Sequence, residues 1–476
     1  MNSNKVLRIA GVVLGSVLAL YFLRFSGNFA NVNLLGGLLF LEILIACVWK
    51  YEQRFFPLTI VAFVWAGVAF PLHAAWTGGR WAVLATGAIV GFIVWIKKAH
   101  VQFSAFHLIA LFCAGTAFVS ATVSPIPQMA ALKALSLFLL FLYGAGGARA
   151  AILGREERFF KGLLWGCELA VYGTAISYFG LGYRFWGNPN SLGTAMSIMA
   201  FPILFWGWFT SEPGPPRWRK LAVLLLCAYL VFFSLERAGM AAIVLVTLTF
   251  CFCLRQYKVL TKVMALALGM IAATGMVNPS VLNESAASVR DAVLYKGHKE
   301  EGVLGSRRSP WEETVSNVKE HPWFGTGYGT SLSREDTVVG FRTIASMADT
   351  SREHGSSYMT ILEWVGLLGV VPFVVLVGLN GFHVLKVGLW LRRTGRVSHY
   401  SVPLAMVLFA GFIHANFEDW MFAVGSYPAI FFWSYSFILV DLLPPLAVRV
   451  PWQHNVVGHW PFSAEIASSR HNAPVH

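Results

Sequence analysis

The tightest constraint on this chain is a succession of apolar runs, each long enough to cross a lipid bilayer. "LRIAGVVLGSVLALYFL" from position 7, "LLGGLLFLEILIACVW" from 34 and "VLTKVMALALGMIAATGMV" from 259 approach the roughly twenty residues a spanning helix needs. With 57% hydrophobic and only 12% charged residues, the chain lacks the charge that would cover a soluble surface. The runs predict an all-α polytopic membrane protein of about 12 to 14 transmembrane helices. They fall near 7–24, 30–49, 57–73, 80–96, 104–122, 128–148, 161–181, 191–210, 219–236, 237–254, 259–277, 356–385, 401–418 and 422–441. "RFSGNFANVN" offers no small-residue cleavage site, so the first segment is expected to remain as an anchor.

Charge orients these segments. Lys and Arg crowd alternate loops, as in Lys5 and Arg8, Lys50 and Arg54, Lys97 and Lys98, Arg217 and Lys220, and Arg392, Arg393 and Arg396. The intervening short loops hold only Arg24, Arg80, Arg184 and Arg237. The positive-inside rule makes the crowded face cytoplasmic, with both termini on it. The net charge of +13 therefore reads as an orientation signal, with no nucleic-acid partner implied. All six cysteines lie inside apolar segments, so neither a disulfide framework nor a metal site is indicated.

The expected organisation is an N-terminal transmembrane bundle (1–277), one long, partly helical periplasmic loop domain (278–355), C-terminal transmembrane helices (356–441) and a disordered cytoplasmic tail (442–476). Orientation sends four polar stretches to the same exterior face: the long loop, "GLGYRFWGNPNS" (180–191) ahead of one span, the tight turn at Glu236 and Arg237, and "NFEDW" (416–420) with Glu418 and Asp419. Within the long loop, "ESAASVRDAVLYKG" (284–297) is helix-compatible. "SPWEETVSNVKEH" (309–321) is expected to start a helix with Ser309 as N-cap and Pro310 in the first turn. "HPWFGTGYGT" (321–330) then breaks it, and Gly325, Gly327 and Gly329 allow close backbone approach to a ligand or a plain surface turn. Lacking GK[ST] and a βαβ context, it is no nucleotide loop.

Arg237, Arg307 and Arg308 suit a diphosphate, because guanidinium forks bind phosphate oxygens in bidentate fashion. Elsewhere at an interface they would serve as headgroup anchors. His354 stands where "SREHGSSYMTILEWVGLLG" (351–369) passes from charge to a membrane-grade run. An imidazole with a reference pKa near 6.5 fits either a hydrogen-bonded surface residue or a base that accepts a hydroxyl proton. Glu42, His107, Lys133 and Glu168 within spans are expected to make interhelical hydrogen bonds.

In order and spacing, "GNPNSLG" (187–193), "LERAGMA" (235–241), "RRSPWEETVSNVKEHPWFGTGYG" (307–329) and "HGSSYMTILEWVGLLG" (354–369) resemble the O-antigen ligase and O-antigen polymerase superfamily of bacterial membrane glycosyltransferases. The resemblance covers roughly residues 180–375. It implies inverting transfer of a glycan from undecaprenyl diphosphate to an acceptor sugar hydroxyl, without metal or other cofactor, on the periplasmic face of the inner membrane. The acceptor would be the lipid A core or a similar glycan. The family's essential histidine falls on His354 and its diphosphate-binding arginines on Arg237 and Arg307 or Arg308, with Arg184 a further phosphate contact. Tyr358, Asn190 and Glu418 are candidate acceptor or glycan contacts. The chain departs from the family pattern where "ERAG" replaces a plain "SRG", so Glu236 is expected to neutralise Arg237 in part. A polymerase joining undecaprenyl-diphosphate-linked repeat units is the alternative within the superfamily. A polysaccharide transporter or flippase fits the polytopic body but predicts motifs at mid-membrane, whereas these gather at one face.

Overall fold

The computed structural model describes residues 55–68, 73–97, 103–261, 305–331 and 352–445, and every regular element among them is helical. In chain order these are α1 (Phe55–Gly67), α2 (His73–Lys97), α3 (Ala105–Thr122), α4 (Pro127–Ile152), α5 (Glu156–Ala175), α6 (Pro189–Phe209), α7 (Pro215–Phe233), α8 (Arg237–Cys253), α9 (Gly305–Glu320), α10 (Ser357–Thr394), α11 (Ser401–His414) and α12 (Tyr427–Asp441). Among the described residues five helices are long and apolar enough to cross a membrane: Gly78–Ile96 within α2, then α3, α4, α6 and α10. Three shorter apolar helices, Phe56–Gly67, Arg237–Cys253 and Ser401–His414, accompany them. The protein is an all-α polytopic membrane protein. The expected segments at 7–24 and 30–49, most of 259–277, the helix at 284–297 and the tail from 446 lie outside the described residues.

Helices in this bundle differ in what surrounds them. Every residue of α12 from Tyr427 to Leu439 is buried, so α12 sits at the centre. Its edge-on ring pairs, Phe106–Phe437 and Phe141–Trp433, fasten α3 and α4 to it. By contrast, α10 leaves Leu367, Leu368, Val371, Val374, Phe382 and Leu385 exposed, an apolar stripe of helical period that suits lipid. Several ionisable side chains inside the bundle are paired. Arg149 holds Asp441 through two 2.5 Å bonds and meets His107 Nε2 at 2.8 Å, while Glu168 pairs with Arg219 at 3.0 Å. Lys133 Nζ donates to the Gly329 carbonyl, whereas Glu42 is outside the described residues.

α10 is broken about two and a half turns from its start. Gly366 adopts φ +68° and ψ −175°, a conformation open essentially to glycine alone. The break removes the helical bonds that the Leu367 and Leu368 amides would make to the Glu363 and Trp364 carbonyls. The turn at 322–327 supplies all four missing partners. Leu367 N–H donates to Pro322 O (2.8 Å) and Leu368 N–H to Trp323 O (3.2 Å), while Thr326 and Gly327 donate to Glu363 O (2.9 Å) and Trp364 O (3.2 Å). In a low-dielectric bundle each unpaired group would cost several kcal/mol, so the broken helix and the turn require each other.

The glycines of "HPWFGTGYGT" thus face the chain itself. A Cβ on Gly325 would lie 2.4 Å from Glu363 O, one on Gly327 2.3 Å from Ser124 Cβ, and one on Gly329 2.5 Å from Lys133 Cδ. Their close approach is to α10, α3's end and α4, where the sequence had suggested a ligand or a free surface turn. α9 also begins earlier than expected, at Gly305, with Pro310 inside it and Ser309 not its cap.

Candidate active site

The early start of α9 decides between its two arginines. Successive helical residues point about 100° apart, so only one of Arg307 and Arg308 can face the bundle. Arg307 does. With Trp311, Thr314 and Val318 it forms the inner stripe, and its side chain is 14% exposed. Arg308 is 76% exposed and pairs along the helix surface with Glu312 at 2.8 Å.

Arg307 Nη2 donates to Glu418 Oε1 at 2.5 Å and Nη1 to Glu353 Oε1 at 2.8 Å. Glu418 belongs to the connection between α11 and α12, which the start of α10 holds in place. Ser357 N–H, one of the amides a helix N-terminus leaves without an internal partner, donates to Ala415 O (2.9 Å) and Glu418 O (3.0 Å). The Ser357 hydroxyl donates to Glu418 O at 2.6 Å and accepts from Met421 N–H at 3.0 Å. Burial pushes the Glu418 carboxyl above its usual range, with Arg307 pulling the other way. Arg237, half-buried at the start of α8, feels the charges of both Arg307 and Glu418. Three segments distant in sequence therefore meet around one carboxylate.

The residue after Glu418 holds His354. Asp419 Oδ2 accepts from the His354 amide at 3.0 Å and lies 3.4 Å from Nδ1. Nε2 faces Ser331 Oγ at 2.8 Å and Glu363 Oε1 at 3.4 Å. The Trp364 indole N–H donates to the same Ser331 oxygen at 2.9 Å, and its ring stands edge-on to the imidazole. Glu363 is fully buried and is satisfied in turn by Asn317 Nδ2 (3.2 Å) and by Arg352. Arg352 continues to Pro310 O, Thr314 Oγ1 and Glu313 on α9. Burial of His354 disfavours its charged form, but the hydrogen bonds its ring makes to Asp419 and Glu363 outweigh that and hold its pKa above the ordinary imidazole value. Asp419 is shifted downward: burial opposes ionisation, and the bonds to the His354 ring and amide overcome it.

His354 is 0% exposed and precedes α10, so it shares no helical face with Tyr358. The Tyr358 hydroxyl donates to Phe412 O at 3.3 Å, on α11. Asn190 lies in the first turn of α6, which Asn188 caps by accepting the Asn190 amide at 2.9 Å, and its carbonyl accepts from Thr194 Oγ1. Arg184 is exposed in the loop before α6. Glu236 turns to His414 and Thr194, where the sequence had suggested Arg237. Asn190 is linked to that group through Thr194.

Sequence reasoning passed over Glu363, Trp364, Ser331 and His414. Two of them had a visible signal, since a lone carboxylate in "YMTILEWVGLLG" and a histidine closing "AGFIHANFEDW" are ionisable groups where lipid-facing helices exclude them. Ser331 had none.

No curated protein matches the chain. A family model described as O-antigen ligase matches residues 222–373, about a third of the chain, from α7 into α10, and takes in Arg237, Arg307, His354 and Glu363 but not the 414–420 connection. Over that stretch the chain is similar to the O-antigen ligase family, which supports a place in the O-antigen ligase superfamily.

Proposed function

We propose that this protein is a membrane glycosyltransferase of the O-antigen ligase type. It moves a glycan from undecaprenyl diphosphate to an acceptor sugar hydroxyl, on the lipid A core or a similar glycan, with inversion and at the periplasmic face of the inner membrane. The observation that carries this reading is that Arg307 and His354 are held by consecutive residues, Glu418 and Asp419. A charge-stabilising group and a proton acceptor are thereby fixed a short distance apart.

In this mechanism the acceptor hydroxyl attacks the anomeric carbon from the side opposite the diphosphate. The C–O bond to the diphosphate breaks, and its electron pair leaves with undecaprenyl diphosphate. Arg237 and Arg307 stabilise that charge; preorganised donors in a water-poor site are worth far more than in bulk water. The hydroxyl proton passes to His354. With Nδ1–H directed at Asp419, the basic nitrogen is Nε2, on the Ser331 and Glu363 side, and both carboxylates favour the imidazolium that forms. Arg308, turned to solvent, has no part in this.

Purified protein in lipid, supplied with an undecaprenyl-diphosphate glycan and acceptor, tests the reading. Wild type forms the glycoside and His354→Ala does not; equal product from both removes His354 from the chemistry. The polymerase alternative is separated by gel analysis of surface glycans in a deletion strain. Undecaprenyl-linked polymer retained with none on lipid A means ligase, and loss of chain length means polymerase.

A further inference from the structure

A second histidine closes the other side of the 414–420 connection. His414 is 0% exposed and Glu236, facing it, 2%. The Trp420 indole can only donate, so the 2.9 Å contact from its Nε1 makes His414 Nδ1 an acceptor. The ring proton then sits on Nε2, 2.8 Å from Glu236 Oε1, which Thr194 Oγ1 also approaches at 2.9 Å. The second oxygen, Oε2, is buried without a hydrogen-bond partner among the described residues. It lies against two glycines: a Cβ on Gly193 would be 2.2 Å from it and one on Gly239 2.7 Å. Neither glycine has positive φ, so backbone conformation does not call for them. Gly193 of "GNPNSLG" and Gly239 of "LERAG" instead leave the space that Glu236 fills.

Glu236 is the residue before Arg237, and His414 stands four residues before Glu418. We infer that Glu236 and His414 form a buried latch that fixes Arg237 relative to Arg307, so that the pair sets affinity for the diphosphate-bearing donor. This rests on the transferase reading above, which gives Arg237 to the diphosphate. Both residues act through Arg237 and are positioning residues. Glu236 is joined through its own backbone to Arg237, so loss of its bond to His414 is transmitted directly to the next residue.

The test is steady-state kinetics of the purified full chain in lipid nanodiscs, with the undecaprenyl-diphosphate glycan varied at fixed acceptor and the reverse. Glu236→Ala raises donor KM roughly tenfold, the worth of one good hydrogen bond to a charged group, while kcat and acceptor KM stay within about twofold. Glu236→Gln keeps an oxygen for the His414 Nε2–H and stays within about threefold of wild type in donor KM. Thr194→Val, which removes one hydroxyl at constant volume, is the mild variant should Glu236→Ala fail to fold, and shifts donor KM about threefold. Unchanged donor KM in Glu236→Ala and Thr194→Val overturns the latch. So does a parallel loss of kcat and of both KM values without rescue by Gln. Wild type that transfers no glycan counts instead against the transferase reading itself.

Discussion

Gly366 and Gly325 meet backbone to backbone: a Cβ on Gly366 would fall 2.6 Å from the Gly325 nitrogen and equally close to the Trp323 carbonyl. That contact joins the segment that carries Arg307 on α9 and Ser331 after it to the helix carrying Glu363. Gly366→Ala meets both the clash and the φ of +68°, the latter alone costing about 1–3 kcal/mol. We expect a lower thermal midpoint in detergent and faster proteolysis within 322–331. A midpoint and cleavage pattern equal to wild type would mean the turn does not depend on the break.

Arg307 and Arg308 make a sharp comparison because they differ only in facing. Under the proposed mechanism, removing Arg307 takes a donor from the charge that develops on the leaving diphosphate, a loss of roughly a hundredfold in kcat/KM by analogy with single oxyanion donors. Arg308→Ala loses an exposed i,i+4 pair worth about 0–1 kcal/mol and leaves transfer within about twofold. Arg307→Lys restores little, since an ammonium cannot reproduce the fork that spans Glu353 and Glu418. Comparable rates for the two alanine variants would refute the facing argument.

The shifts at His354 and Asp419 set a pH dependence. In the proposed mechanism a neutral His354 accepts the proton, so transfer is expected to rise with pH through a midpoint above 6.5. Asp419→Asn removes one of the two supports of the imidazolium and moves that midpoint down. Stability follows the opposite sign for the histidine. Its raised pKa contributes stability that is complete below 6.5 and is lost as pH climbs through the folded value. The depressed Asp419 contributes above 3.8 and loses its part as pH falls through the lower folded value. Rate–pH profiles of wild type and Asp419→Asn check this, and identical midpoints would detach Asp419 from His354.

Apolar runs located the membrane helices among the described residues, because such runs are local properties of the chain, and basic loops supplied the expected orientation. They also brought His354, Arg237, Arg307 and Glu418 to a single end of the bundle. Choosing Arg307 over Arg308 needed the start of α9, which the Ser309–Pro310 pair misplaced by suggesting a cap where the helix was already under way. Glycines 325, 327 and 329 looked like space for a ligand because sequence shows that a backbone can come close, never to what. Ser331 is defined only by its tertiary neighbours His354 and Trp364, and no spacing announces it.

The Arg352–Glu363 pair separates stability from chemistry. Arg352→Met leaves a buried carboxylate with its guanidinium gone, and breaking one partner of such a pair costs about 3–5 kcal/mol. Arg352→Met combined with Glu363→Met replaces both charges by apolar volume, which for buried pairs is often neutral in stability. The double variant should therefore recover most of the thermal midpoint lost by the single one. Transfer should not recover, because His354 then lacks the carboxylate 3.4 Å from Nε2 that favours its protonated form. Its rate–pH midpoint should also drop below wild type. Recovery of rate along with stability would show that Glu363 serves only to hold Arg352 and α9.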